Sequence, residues 1–258
     1  METTVKIMIA VRYRRWLPYV AVLQTDLRQT RQNWVYRLWV LTMFLSSFGY
    51  LLYRMGIHRE AGIIQPASIV MSDLLRWVVM GSAAVIAALT VGSISSERGT
   101  LADSVLSRGI SRYQYFMAKW HARLVGVVGT FLGMGVLMLI ASHYLLHENL
   151  SLSGSLVCLT MVASLFGLVA TAGVTLSATC NNSRVAMTIL WLVLYGGGAL
   201  LELLPKHYPT PDRILQQLPE VLRGNYDPAL LGDVFSVCAL AACFVAMIGL
   251  VSFARRDV

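Results

Sequence analysis

Six stretches of this chain, at roughly residues 35–53, 76–96, 124–146, 155–178, 185–204 and 234–253, are apolar over close to the 20 residues that a helix needs to cross about 30 Å of hydrocarbon. The runs are continuous rather than alternating. They also carry the Gly, Ala, Ser and Thr mixture common where membrane helices pack together, as in Gly81-Ser82-Ala83-Ala84. Both features point to helices instead of a barrel. Of the 258 residues, 57% are hydrophobic and only 13% charged, which is too apolar for a soluble domain of this size. The expectation is an all-α membrane protein with six transmembrane helices. No internal repeat or low-complexity tract divides it, so residues 1–258 read as one domain.

A net charge of +8 is compatible with nucleic acid, but the basic residues sort by loop. One set comprises Lys6, Arg12, Arg14, Arg15, Arg28 and Arg31, then Arg98, Arg108, Arg112, Lys119 and Arg123, Arg184, and the terminal Arg255 and Arg256. The other is Arg54, Arg59, Arg76, Lys206, Arg213 and Arg223. With an even number of spans the richer set falls on one side, and the positive-inside rule places both termini and the 97–123 loop in the cytoplasm. The charge therefore has a membrane explanation and no nucleic-acid partner is expected. Cys158, Cys180, Cys238 and Cys243 lie within or at the ends of spans with no CxxC among them, and read as packing residues. Arg12, Arg14 and Arg15 break the first apolar stretch and no small-residue cleavage site follows, so the first span is expected to serve as the insertion signal.

Residues 1–33 are too charged to span. Ile7, Met8, Val11, Trp16, Val20, Leu23 and Leu27 form an apolar side against Arg12, Arg15, Arg28 and Arg31, the pattern of an amphipathic interfacial helix. Pro18 should interrupt it, leaving a piece from about Tyr19 to Trp34 along the cytoplasmic leaflet. The first outer loop, about 54–75, shows no ligand-like cluster. In the outer loop at 202–233, Thr210-Pro211-Asp212 resembles an N-cap followed by proline at the first helical position. A short helix should follow, with Ile214, Leu215, Leu218, Val221 and Leu222 as an apolar stripe and Gly224-Asn225 as its stop. Such a stripe rests on the membrane surface or on the tops of the spans, or forms an outer gate or a docking point for an extracytoplasmic partner.

The polar segment between spans two and three carries the most functional information. After Ser95-Ser96-Glu97-Arg98-Gly99, Thr100 can cap a helix N-terminus and Asp103 sits favourably in its first turn. Leu101 and Val105 fall on one face with Leu106 beside them, and Gly109 suits the left-handed conformation that ends a helix. Ser111-Arg112-Tyr113-Gln114 has the spacing of a capping box, so a new helix begins there and runs through Phe116, Lys119 and Trp120 into span three. A two-turn helix is marginal alone in water. The segment is either a well-capped ordinary loop or a helix stabilised by docking on a soluble partner.

The same residues resemble the ABC-2 type permeases, membrane subunits of a class of ATP-driven transporters. In those a span ending in Glu is followed by Gly-Thr-Leu, a Leu-Ser pair, an Arg and a Lys before the next span; this chain has Glu97, Gly99-Thr100-Leu101, Leu106-Ser107, Arg112 and Lys119. The tail Phe253-Ala254-Arg255-Arg256-Asp257-Val258, the basic amphipathic N-terminus and the long final outer loop are similar as well, so the resemblance covers nearly the whole chain. Many members have proline where this chain has Gly109 or Ile110, which leaves the bend looser. The resemblance implies that 97–121 is a cytoplasmic coupling segment fitted into a groove of a separate nucleotide-binding subunit. Glu97 would be its hinge, Gly99, Thr100 and Asp103 its start, Leu101, Val105 and Leu106 its apolar knob, and Arg108 and Arg112 contacts to acidic groups on the ATPase or to lipid phosphate. It further implies two ATPase copies that bind ATP and Mg, a second permease copy or homologue, a prokaryotic cytoplasmic membrane, and export. The chain itself has no Gly-Lys dipeptide and hence no Walker A loop, so it is expected to be a non-catalytic subunit holding no cofactor.

Other sites are weaker. His143 and His147 are four apart beside Glu148, a spacing open to metal binding or to plain contact with headgroups and water. Arg37 has room to snorkel to the cytoplasmic surface. The spans hold no Asp or Glu in their middles, which counts against a proton-coupled secondary transporter. No HExxH, GxSxG or paired intramembrane acids speak for an enzyme. A channel could cite Gly196-Gly197-Gly198, although such glycines serve equally as kinks or close-approach sites.

Overall fold

The computed structural model describes residues 16–61, 66–95, 110–146, 150–197 and 211–255. Within them the chain forms α1 (Leu17–Gln32), α2 (Trp34–Ala61), α3 (Ala67–Ser95), α4 (Arg112–Leu146), α5 (Leu152–Thr179), α6 (Ser183–Trp191), α7 (Pro211–Leu222) and α8 (Pro228–Arg255). Five of these, α2, α3, α4, α5 and α8, are long and apolar enough to cross a membrane. The chain is thus an all-helical, membrane-embedded protein. The expected fifth span at 185–204 appears as α6 followed by a π-helical turn at Leu192–Gly196, and its remainder lies outside the described residues.

α5 sits at the centre, packed on α3, α4 and α8. Small residues allow the approach: a methyl added at Gly173 of α5 would stand 2.0 Å from Thr90 Oγ1 of α3. Within the Gly81–Ala84 run it is Ser82 that is buried, accepting a hydrogen bond from Trp39 Nε1 at 3.0 Å.

The expected first outer loop at 54–75 is a correction. α2 continues to Ala61 and α3 already begins at Ala67, with Val70, Met71, Leu74 and Leu75 buried. Arg76 and the serines depress the local hydropathy, but Arg76 and Ser68 find partners in α7 and the residue that follows it. Pro219 has no N–H for the Leu215 carbonyl one turn back, and Arg76 Nε donates to that carbonyl at 3.1 Å. Arg223 Nε likewise donates to Ser68 Oγ at 3.1 Å.

α7 matches its expected form. Ile214, Leu215, Leu218, Val221 and Leu222 are all buried on α3 and α5, and the helix stops at Gly224, whose φ of +89° is the left-handed region that glycine tolerates. Gly154 at the start of α5 lets the cap sit down, since a methyl there would lie 2.0 Å from the Val221 carbonyl. α8 then starts at Pro228, ahead of the expected 234, with Asp227 Oδ1 accepting from Ala229 N at 2.9 Å.

Candidate functional site

The end of the bundle opposite α7 is where α3 stops at Ser95 and α4 starts at Arg112. The capping box forms as expected: Ser111 N donates to Gln114 Oε1 at 3.3 Å and Gln114 N donates to Ser111 Oγ at 3.2 Å. Tyr115 and Phe116 in the first turns of α4 pack on Phe253 near the end of α8, together with Ile94, Val174 and Ala178. Ile110, the last residue before the helix, packs on the same cluster. On the other flank, Ile94 N and Ser95 N both donate to Ser177 Oγ of α5, at 2.9 and 3.0 Å. Both stalks that lead into residues 96–109 are therefore tied to the bundle.

One turn along α4 from Tyr115 stands Lys119, and one turn further Arg123, on the same face. They are 2% and 8% exposed. Both reach Asp26 of α1, which is 2% exposed. Lys119 Nζ lies 3.1 Å from Asp26 Oδ1 and donates to the Ser93 carbonyl of α3 at 3.0 Å. Arg123 closes a two-point contact, with Nη2 donating to Asp26 Oδ1 and Nε facing Oδ2, each at 3.2 Å, while its Nη1 donates to Thr30 Oγ1 at 2.8 Å. Lys119 also lies 5.5 Å from the centre of the Tyr115 ring.

Lys119 and Arg123, counted among the basic residues of the cytoplasmic 97–123 loop, lie within α4 and are buried, with Asp26 as their counter-ion. α1, expected as an interfacial helix, also packs against α4 through Asp26 and Thr30, while Trp16 and Val20 of its apolar side are 74% and 41% exposed. Val22 packs on the cluster around Phe116 and Phe253, while Gln24, Arg28 and Arg31 are exposed. α1 starts at Leu17 with Pro18 in its first turn, close to the expected start of this piece at Tyr19, and residues 1–15 lie outside the described residues. Asn33 ends α1, its N–H donating to the Gln29 carbonyl at 3.0 Å, and caps α2 by accepting from Val35 N at 3.0 Å.

Lys119 and Arg123 of α4 thus converge on the Asp26 carboxylate of α1, and Lys119 ties the Ser93 carbonyl of α3 to the same point. The cost of desolvation offsets much of the attraction in a buried ion pair, so such a cluster sets registry more than it adds stability. Mechanically it joins α1, the end of α3 and the start of α4, and a displacement of any one is felt by the others.

No protein-family profile and no curated protein matches the chain.

Of the residues singled out in the sequence, Glu97, Gly99, Thr100, Leu101, Asp103, Val105, Leu106 and Arg108 lie outside the described residues. Arg112 is described, and its Nη1 donates to the Ala254 carbonyl at 3.2 Å, where a cation suits the C-terminal end of α8. His143 is exposed at the far end of α4, and His147 lies outside the described residues. Among the described residues no group of three or more His, Cys, Asp or Glu is placed to hold a metal ion. The four cysteines are free thiols. Arg37 is exposed and its Nε donates to the Arg31 carbonyl at 3.1 Å.

Sequence reasoning passed over Asp26. Two signals were present: it is the only acidic residue between Glu2 and Glu60, and Lys119 and Arg123 stand four apart on one helix face.

Proposed function

We propose that this chain is the permease subunit of an ATP-driven ABC-2 type exporter, working in a prokaryotic cytoplasmic membrane with both termini in the cytoplasm. A separate ATPase, present in two copies, binds ATP and Mg and docks on the coupling segment 97–121. A second permease copy or a homologue completes the membrane part, and the stretch from Ser183 onward supplies the fifth of the six spans.

The observation that carries this reading is the Asp26 cluster. A coupling segment transmits force only if its stalks are fixed to the helices they are meant to move, and here both are. Ser95 N is held by Ser177 and the Ser93 carbonyl by Lys119, while Lys119 and Arg123 hold α4 to α1. An ordinary surface loop joining two spans needs no such anchorage. The motif residues Glu97, Gly99, Thr100, Leu101 and Leu106 fall between the anchored flanks.

The test is co-purification after expression with candidate ATPases, comparing wild type with Leu101→Asp and Leu106→Asp. Loss of the ATPase from both variants is expected, because a charge on the apolar knob cannot enter an apolar groove. Retention by both, with the membrane protein still folded and monodisperse in detergent, rules the docking assignment out.

A further inference from the structure

Inside the bundle, between α2, α3, α4 and α5 and beneath Leu222 of α7, lies a cavity of about 30 Å³. That is room for one water-sized body. Its wall gathers four of the twelve methionines of the chain, Met43 from α2, Met71 from α3, and Met134 and Met138 from α4. Met134 and Met138 are four apart, which stacks their side chains on one helix face. Ser47 and Ser155 complete the polar part of the wall and are 4% and 3% exposed.

Those serines are unusual for this molecule. Ser46, Ser72, Ser142 and Ser164 each return their hydroxyl to a carbonyl of the preceding turn. Ser47 and Ser155 have no side-chain hydrogen bond among the described residues. A methionine that merely fills a gap is common in cores, but it does not account for two bare hydroxyls beside the same void. Met43 is also oriented from behind: Trp39 Nε1 donates to Ser82 Oγ at 3.0 Å, and Ser82 Oγ donates to Met43 Sδ at 3.4 Å. A thioether sulfur has two lone pairs, so this bond fixes the side chain and leaves one pair over.

We propose that this cavity binds a single soft monovalent cation, Cu(I), through the thioethers of Met43, Met71, Met134 and Met138, with the Ser47 and Ser155 hydroxyls as weak additional donors. Neutral thioethers select Cu(I), whereas Mg²⁺ and Ca²⁺ require a shell of oxygen ligands with carboxylates. The wall contains no carboxylate. A divalent ion would bring double the charge into a low-dielectric interior with no counter-charge, and a monovalent one meets the smaller penalty. The cavity shares Met43, Leu74 and Val78 with a larger groove of about 630 Å³ between α2 and α3, so one side-chain layer separates the two. The site is built from α2 to α5 alone and stands whether or not the chain is a permease.

The experiment is an anaerobic titration of the purified full chain in detergent with Cu(I), in competition with a chromophoric Cu(I) chelator, and with Ag(I) as a redox-inert second probe. Free thiols bind the same ions, so it is run on wild type and on a variant with Cys158, Cys180, Cys238 and Cys243 all changed to alanine. The cysteine-free variant should take up one equivalent and wild type at least one. Met134→Leu with Met138→Leu nearly conserves volume and should weaken uptake by about tenfold or more, with helicity and melting temperature unchanged. Should that pair fail to fold, Met71→Leu alone is judged by the same loss of affinity. Uptake that vanishes with the cysteines, uptake indifferent to the leucine changes, or no uptake against the chelator overturns the proposal.

Discussion

At one end of the bundle α7 lays Ile214, Leu215, Leu218, Val221 and Leu222 on α3 and α5, while at the other α1 lays Asp26 and Thr30 on α4. Each is a short helix closing off longer ones. The α7 cap is held by apolar burial, with polar contacts such as Arg76 to the Leu215 carbonyl satisfying what the helix cannot satisfy itself. The α1 contact is centred on one carboxylate facing an ammonium and a guanidinium. The difference lies in how each fails. Apolar contacts lose strength in proportion to what is removed, whereas deleting one member of a buried ion cluster leaves the remainder charged and unpaired.

The comparison breaks most easily at Asp26. Asp26→Ala should cost about 3–5 kcal/mol, because Lys119 and Arg123 stay buried without their counter-ion. Thermal unfolding followed by size-exclusion fluorescence in detergent measures this, and Asp26→Asn, which keeps the shape, should fall between the two. Leu218→Ala at the cap should cost less, about 3 kcal/mol, since Leu218 is fully buried but leaves only a cavity behind. If the Leu218 variant proves the less stable of the two, the distinction between the ends is wrong. Ser111→Ala sharpens the comparison at its low end: losing the reciprocal cap with Gln114 should cost about 1 kcal/mol and leave the Asp26 cluster in place.

Much of this was legible beforehand, and where it was, the cause was local. The capping box at Ser111 and Gln114 and the α7 stripe ending at Gly224 depend on residues within a few positions of one another, and both formed at the expected places. Expectations failed where distant parts of the chain meet. Residues 67–75 looked like loop because Asp73, Arg76 and the serines dilute their hydropathy, yet α7 buries them. Lys119 and Arg123 read as charges of the cytoplasmic loop because nothing nearby in the sequence pairs with them, and Asp26 is more than 90 residues away.

The sequence alone determined that this chain is helical and lies in a membrane, since long continuous apolar runs permit nothing else and each helix closes its own backbone hydrogen bonds. It also determined where α4 and α7 begin or end, because caps are short-range chemistry. Only the tertiary structure decided which way α1 faces, which charges are buried and which methionines meet. Those outcomes rest on contacts between segments far apart in the chain, and a pattern read one window at a time carries no information about which segment will stand opposite.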